Sequence, residues 1–136
     1  MFIQLAINFG GHDTSAALSI NNKIVAAVEQ ERYDLSKHSR NFPIDAVNGC
    51  LKIAKLKLIN VNRVILTTDF KVGLKKFYLE PALKDDNMLK RIFEDSEIIK
   101  NYLDLENKVR DILKFKGEIL TFHHHLCHLA SAYYPS

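Results

Sequence analysis

Phe2-Ile3-Gln4-Leu5-Ala6-Ile7-Asn8-Phe9-Gly10-Gly11-His12-Asp13-Thr14-Ser15-Ala16-Ala17-Leu18-Ser19-Ile20-Asn21-Asn22-Lys23-Ile24-Val25-Ala26-Ala27-Val28-Glu29 is the stretch that decides the fold. Phe2 to Asn8 has strand character and breaks at Phe9-Gly10-Gly11-His12-Asp13. A second strand, Thr14 to Ile20, stops at Asn21-Asn22. Two asparagines between apolar runs signal a two-residue hairpin, because Asn tolerates the positive φ that a type I′ turn demands. The third strand, Lys23 to Glu29, carries a nearly continuous apolar run, and cover on both faces is the expectation from it. Three strands joined by tight turns make an antiparallel meander.

Working outward, Glu29 to Phe42 is charged and aperiodic and reads as a solvated loop. Pro43 opens a helix whose apolar face is Ile44, Val47, Leu51, Ala54 and Leu58. Asn60-Val61-Asn62 ends it, and Arg63 to Thr68 gives a fourth strand. Residues 69–96 are polar and hold one or two short helices. Tyr102, Leu105, Val109 and Ile112 mark a later helix closed by Gly117, followed by a strand, Glu118 to Phe122, and a final helix. The order β-β-β-α-β-α-β-α predicts an α/β fold, a mixed sheet with helices packed on it. It is compatible with a ribonuclease-H-like lobe.

At 136 residues the chain is one domain's worth, and no repeat, low-complexity segment or domain boundary divides it. A net charge of +3 spread over surface-like segments gives no dense basic patch, so nucleic-acid binding is not indicated. No apolar run approaches the roughly 20 residues that span a bilayer, and the N-terminus lacks a signal peptide's basic start. Cys50 and Cys127 are too few for a disulfide framework, which favours a reducing, cytoplasmic setting.

Chemistry concentrates at two places. Four of the six histidines fall between His123 and His128. On a helix starting near His124, His124 and His128 stand four apart on one face, with Cβ atoms roughly 5–6 Å apart. That spacing lets two imidazoles share one transition-metal ion. Histidine clusters also arise on pH-sensitive surfaces and at helix N-termini. A zincin would need a glutamate where His125 stands, which argues against a metalloprotease. Cys127 faces away from both candidate ligands and reads as a small packed residue. The second place is the loop Phe9 to Ser15. Its paired glycines admit a close ligand, and its N–H groups with the Thr14 and Ser15 hydroxyls suit an anion. His12 can exchange a proton near neutral pH. Asp13 can orient it, stay ionised to hold a donor, or initiate a turn; a plain tight hairpin is the simpler alternative.

Three stretches together resemble the N-terminal part of the NodU/CmcH carbamoyltransferase family. They are Gly11-His12-Asp13-Thr14-Ser15-Ala16-Ala17-Leu18, then Val25 to Arg32 continuing to Lys37-His38 and Phe42-Pro43, and His124 through Ser136. They occur in the family's order and span nearly the whole chain, whereas roughly Asp69 to Lys116 contributes little. Two departures are Gln30 where the family commonly has Glu, and Ser39 where an acid often follows Lys-His.

The resemblance implies a Kae1-like domain of the actin/hexokinase/Hsp70 type, of which residues 1–136 form the first ribonuclease-H-like lobe. The second lobe and the YrdC-like domain lie outside it. It implies transfer of a carbamoyl group, by way of carbamoyl adenylate made from ATP and carbamoyl phosphate, onto a hydroxyl of a small-molecule acceptor. It implies iron, or another divalent metal, on His124 and His128, with carboxylate ligands supplied by a second chain or segment. Within that frame His12 and Asp13 are the catalytic candidates. Arg32, Lys37, His38 and Ser15 are the substrate-binding candidates, with Glu31 as a structural partner of Arg32. Two rival expectations are threonylcarbamoyl transfer to tRNA, as in Kae1/TsaD relatives that share the HxxxH motif, and a non-catalytic lobe that holds a metal or nucleotide.

Overall fold

The computed structural model describes residues 1–133. Its first three strands are β1 (Ile3–Asn8), β2 (Ser15–Ile20) and β3 (Lys23–Glu29), paired antiparallel in turn. Alternate residues of β1, Ile3, Leu5 and Ile7, are buried to 1% exposure or less, so one face of the strand enters the core. The β2–β3 turn is the expected one: Asn21 and Asn22 have φ of 48° and 65°. The Asn21 side chain also accepts the Phe2 N–H at 2.8 Å, which ties the turn to the start of β1.

The chain continues through α1 (Glu31–Asp34) and α2 (Ile44–Ile53) to a 3₁₀ turn at Leu58–Asn60 and β4 (Arg63–Leu66). A helical stretch follows: α3 (Phe70–Leu74), a π-turn over Lys75–Leu79, α4 (Glu80–Ala82), α5 (Asp86–Glu94), α6 (Ser96–Leu103) and α7 (Leu105–Leu113). The last elements are β5 (Glu118–Thr121) and α8 (His124–Tyr133). Both β4 and β5 join in parallel, giving a five-stranded mixed sheet ordered β3-β2-β1-β4-β5. The expected α/β architecture, with an antiparallel meander continued by parallel strands, is therefore present. Among the described residues no helix is long and apolar enough to cross a membrane.

One face of the sheet carries the core. Ile3, Leu5, Ile7, Leu18 and Val64 meet Val47 and Cys50 of α2 and Val109 of α7. The opposite face is built of small residues, with Ala6 opposite Ala17 and Ala17 opposite Ala27 across the strands. This corrects the reading of β3. The strand lies at the sheet edge, pairs only with β2, and leaves Ile24 77% exposed; only Ala26 is buried. A continuous apolar run was an unsafe sign of two-sided cover, because α2 covers one face and nothing among the described residues covers the other.

Three other expectations shift. Helix α2 ends at Ile53, not near Leu58, because Lys55 turns left-handed (φ 56°) and redirects the chain toward β4. Its buried residues are Ala46, Val47, Cys50 and Leu51, while Ile44 is exposed. The single helix expected around Tyr102 to Ile112 is two helices that meet at Asp104, which leaves helical geometry (φ −97°, ψ 9°). Leu105, Val109 and Leu113 then bury, and Ile112 faces out.

The charged stretch after β3 is also not a free loop. Gln30 is 2% exposed. Its Nε2 donates to Asp45 Oδ2 at 2.8 Å and its Oε1 accepts the Ala46 N–H at 3.1 Å, which satisfies one of the donors that a helix N-terminus leaves unpaired. Its own N–H donates to Thr14 O, and Thr14 N–H donates to Ser39 O. Ser39 is buried in turn and donates from Oγ to Asp34. Residues 30–39 thus form a strap pinned against the β1–β2 loop.

Candidate active site

The β1–β2 loop owes its shape to two left-handed residues, Gly10 (φ 106°) and Asp13 (φ 57°). A Cβ on Gly10 would stand 2.9 Å from Leu105 Cδ1, so glycine allows the loop to pack against the α6–α7 junction. Asn8 clamps the other end. Its Nδ2 donates to Asp13 O at 2.9 Å, and its Oδ1 accepts from Thr67 Oγ1 at 2.9 Å.

These constraints present the Asp13 carboxylate to two imidazoles. Oδ2 is 2.5 Å from His12 Nδ1, and Oδ1 is 2.7 Å from His38 Nδ1. His38 arrives from the strap, where its own φ is 57° and its N–H donates to Glu31 Oε2. Hydrogen bonds from His38 first, then from His12, hold the Asp13 carboxyl below its ordinary range. With Nδ1 on the carboxylate, each ring has Nε2 as its outward nitrogen. Asp13 thus contacts both rings and also takes a left-handed turn conformation, so the geometry accommodates all three of the roles open to it in the sequence. The ligand atoms of His12, Asp13 and His38 lie within 4.8 Å of one another, so the trio could also hold a metal.

On α8 the rings of His124 and His128 meet edge to face, with centroids 4.5 Å apart and the two Nε2 atoms 2.9 Å apart. At that separation the two rings share an N–H···N hydrogen bond, and the pair stands side by side where both nitrogens could turn to one transition-metal ion. Burial pushes the Cys127 thiol up.

His12, Asp13, His124 and His128 line one cavity of about 690 Å³. That volume lies within the roughly 300–1,000 Å³ of small-molecule sites. Its far wall comes from the helical stretch that the sequence left without a role. Phe70 stacks on Tyr102 at 4.6 Å between centroids. Tyr78 donates to Asp95, and the Arg91 guanidinium lies 5.5 Å over the Tyr78 ring. Arg91, Tyr78 and Tyr102 line this cleft and carried no motif; of the three, only Tyr102 was legible, as part of a helical stripe.

Other candidates fall elsewhere. Arg32 and Ser15 line a second cavity, of about 610 Å³, on the small-residue face of the sheet; it adjoins the first at Asn8. Arg32 pairs at 3.7 Å with Glu29, the last residue of β3, and not with Glu31, whose carboxylate accepts the His38 N–H. Lys37 is exposed and lines neither cavity. Thr14 is buried at 1% exposure, with Oγ1 lacking a hydrogen-bond partner among the described residues, so its hydroxyl is not open to an anion in the cleft. Tyr134, Pro135 and Ser136, the end of the third motif, lie outside the described residues.

Comparison with known proteins supplies the context. The chain is 28% identical over 152 aligned positions to the uncharacterized protein sll1178 of Synechocystis sp., covering 97% of this chain and 23% of that protein. It is 28% identical over 129 positions to the nodulation protein NolNO of Sinorhizobium fredii, covering 90% of this chain and 17% of that protein. An uncharacterized 19.2 kDa protein of Rhizobium etli is 34% identical over 53 positions, 39% of this chain and 31% of its own length. The chain thus spans less than a third of each of these relatives. The carbamoyltransferase N-terminus family matches residues 4–136, from the first strand through the histidine helix, and the chain belongs to that family.

Proposed function

We propose that this chain is the histidine-bearing lobe of a carbamoyltransferase that moves a carbamoyl group onto a hydroxyl of a small-molecule acceptor. The observation that carries the reading is that the imidazole–carboxylate network of the first loop and the histidine pair of α8 open onto one cavity. Family membership supports carbamoyl transfer in general. The sheet order, with three antiparallel strands followed by two parallel ones, supports the finer assignment to a ribonuclease-H-like lobe of the Kae1-like, actin/hexokinase/Hsp70 type. Both cysteines are free, which supports a reducing, cytoplasmic setting.

In this reading His12 is the general base. Its Nδ1 is held by Asp13, so Nε2 takes the proton of the acceptor hydroxyl as the new carbamate C–O bond forms. The bond from the carbamoyl carbon to its phosphate leaving group breaks in the same exchange, and AMP departs if the donor is carbamoyl adenylate. Asp13 fixes the tautomer of His12 and stabilises the imidazolium. His38, on the same carboxylate, helps to hold Asp13 in place and is not among the residues that line the cleft. His124 and His128 would hold the metal, which when bound supplies Lewis-acid polarisation of a carbonyl or phosphoryl oxygen. The aromatic wall of Phe70 and Tyr102 excludes water from one side of the cleft. Carbamoyl adenylate made from ATP and carbamoyl phosphate, the remaining metal ligands, and a YrdC-like domain belong to segments beyond the part of its relatives that this chain spans.

The test joins the chain to those segments and follows carbamoyl transfer and iron content together. His128→Ala is expected to abolish iron uptake and leave the fold intact. His12→Ala is expected to keep iron and lower transfer by roughly 10²–10⁴-fold, the range of general-base catalysis. Equal iron in wild type and H128A sinks the ligand assignment, and an unchanged rate in H12A sinks the base.

A further inference from the structure

A second, smaller cavity lies behind the Gly10–Gly11 turn, and the histidine chemistry does not use it. It measures about 220 Å³, below the roughly 300–1,000 Å³ of sites for whole drug-sized ligands, so it suits one functional group and not an entire molecule. Its charged lining residues are Arg40 and Lys108; among the described residues no carboxylate lines it. Arg40 is exposed and has neither an ion pair nor a hydrogen bond among the described residues. Lys108 Nζ is steadied by Asn101 Oδ1 at 2.9 Å, which leaves the Asn101 amide nitrogen as a further donor. Two cationic residues thus line one small pocket, and among the described residues no carboxylate lines it to balance them.

The pocket also communicates with the histidine cleft. Gly10, Gly11 and Tyr102 are common to both linings. At Gly11 an added Cβ would meet nothing within 4 Å, so the turn between the two linings is not packed over on that side. We infer that this cavity is a phosphoryl-binding subsite, in which Arg40 and Lys108 hold the terminal phosphate of an acyl-phosphate type molecule, and not the internal phosphoryl group of an adenylate, with the reacting end against His12. The second half of that statement rests on the transferase reading; the anion site does not. Phosphate is the group chosen over carboxylate for two reasons. A forked guanidinium and a separate ammonium together match a dianion with three terminal oxygens. The near-double charge of a phosphate monoester at neutral pH also balances two cations, where a carboxylate balances one.

The test is titration of the 136-residue chain with inorganic phosphate at low ionic strength, followed by ³¹P line width or calorimetry, with acetate as the control anion. Phosphate is expected to bind more tightly than acetate. Arg40→Gln and Lys108→Met are each expected to weaken phosphate by on the order of tenfold, the effect of one lost charge-assisted hydrogen bond. Arg40→Lys, which keeps the charge, is expected to retain most of the affinity, and His12→Ala all of it. Phosphate affinity equal in wild type, R40Q and K108M overturns the proposal. So does acetate binding as tight as phosphate, or no phosphate binding at all. The two readings fail separately. Phosphate bound at Arg40 and Lys108 in a protein that transfers no carbamoyl group leaves the subsite standing and sinks the transferase reading. An active transferase whose R40Q variant binds phosphate unchanged does the reverse.

Discussion

Gln30 is the residue on which the link between fold and site can be tested most sharply, through the paired substitutions Gln30→Glu and Gln30→Ala. In the native arrangement its amide serves two partners of opposite kind, donating to Asp45 and accepting from Ala46 N–H. Glutamate keeps the acceptor for Ala46 but removes the donor. It sets a second carboxylate against Asp45 Oδ2, where the amide nitrogen now stands at 2.8 Å. Two unit charges about 4 Å apart repel by roughly 4 kcal/mol at an effective dielectric near 20. Asp45 is exposed and can swing into solvent, so about 2 kcal/mol of that repulsion should remain. Alanine introduces no charge, but it leaves the buried Ala46 N–H without its partner, a penalty of about 1–3 kcal/mol. The two variants are therefore similarly destabilised at pH 7, each melting roughly 5–10 °C below wild type. Acid separates them. In Q30E the introduced carboxylate and that of Asp45 are crowded together, and the pair binds a proton more readily folded than unfolded. The Q30E deficit therefore shrinks as pH falls toward about 4, while the Q30A deficit does not. Urea unfolding at both pH values, each variant referred to wild type, reads this directly. The His38 ring resonances should shift in both, since the strap that carries His38 begins at Gln30. A Q30E protein as stable as wild type at pH 7, or a Q30E deficit that acid does not relieve, refutes the account of Gln30 as a two-way amide clamp.

Two further outcomes follow from the first loop. The Asp13 carboxyl is held below its ordinary value of 3.8 by His38 and then His12. A depressed folded value means that the contribution is present above the unfolded value and lost as pH falls through the folded one. The stability gap between wild type and Asp13→Asn, measured by urea unfolding from pH 6 downward, should therefore close below about pH 3.8; a gap that stays constant denies the ion-pair network. Gly10→Ala should cost about 1–3 kcal/mol, because it combines a left-handed φ of 106° with a contact at 2.9 Å to Leu105. Gly11→Ala, whose Cβ meets nothing, should be close to neutral; equal effects in thermal melts would show that the loop does not pack on Leu105 as described.

Much of the framework is legible along the chain because its causes are local. The asparagine pair Asn21-Asn22 dictates its own left-handed turn, the meander follows from that turn, and the four-residue spacing of His124 and His128 needs only a helix to bring their Nε2 atoms to 2.9 Å. The ordered motifs around His12, His38 and His128 were enough to place the chain in its family. What the tertiary structure alone decided concerns residues far apart in sequence. Asp13 gathers a histidine 25 positions away because Gln30 and Ser39 pin the strap, and those bonds run to backbone atoms that no pattern of side chains announces. Ile24 and Val25 are exposed because β3 lies at the sheet edge, a matter of strand order and not of hydrophobicity. The aromatic wall of the cleft and the place of Arg40 and Lys108 in one cavity lining depend on how α6 and α7 return across the first loop. Periodicity shows that those helices form; only packing around Gly10 decides where they lie.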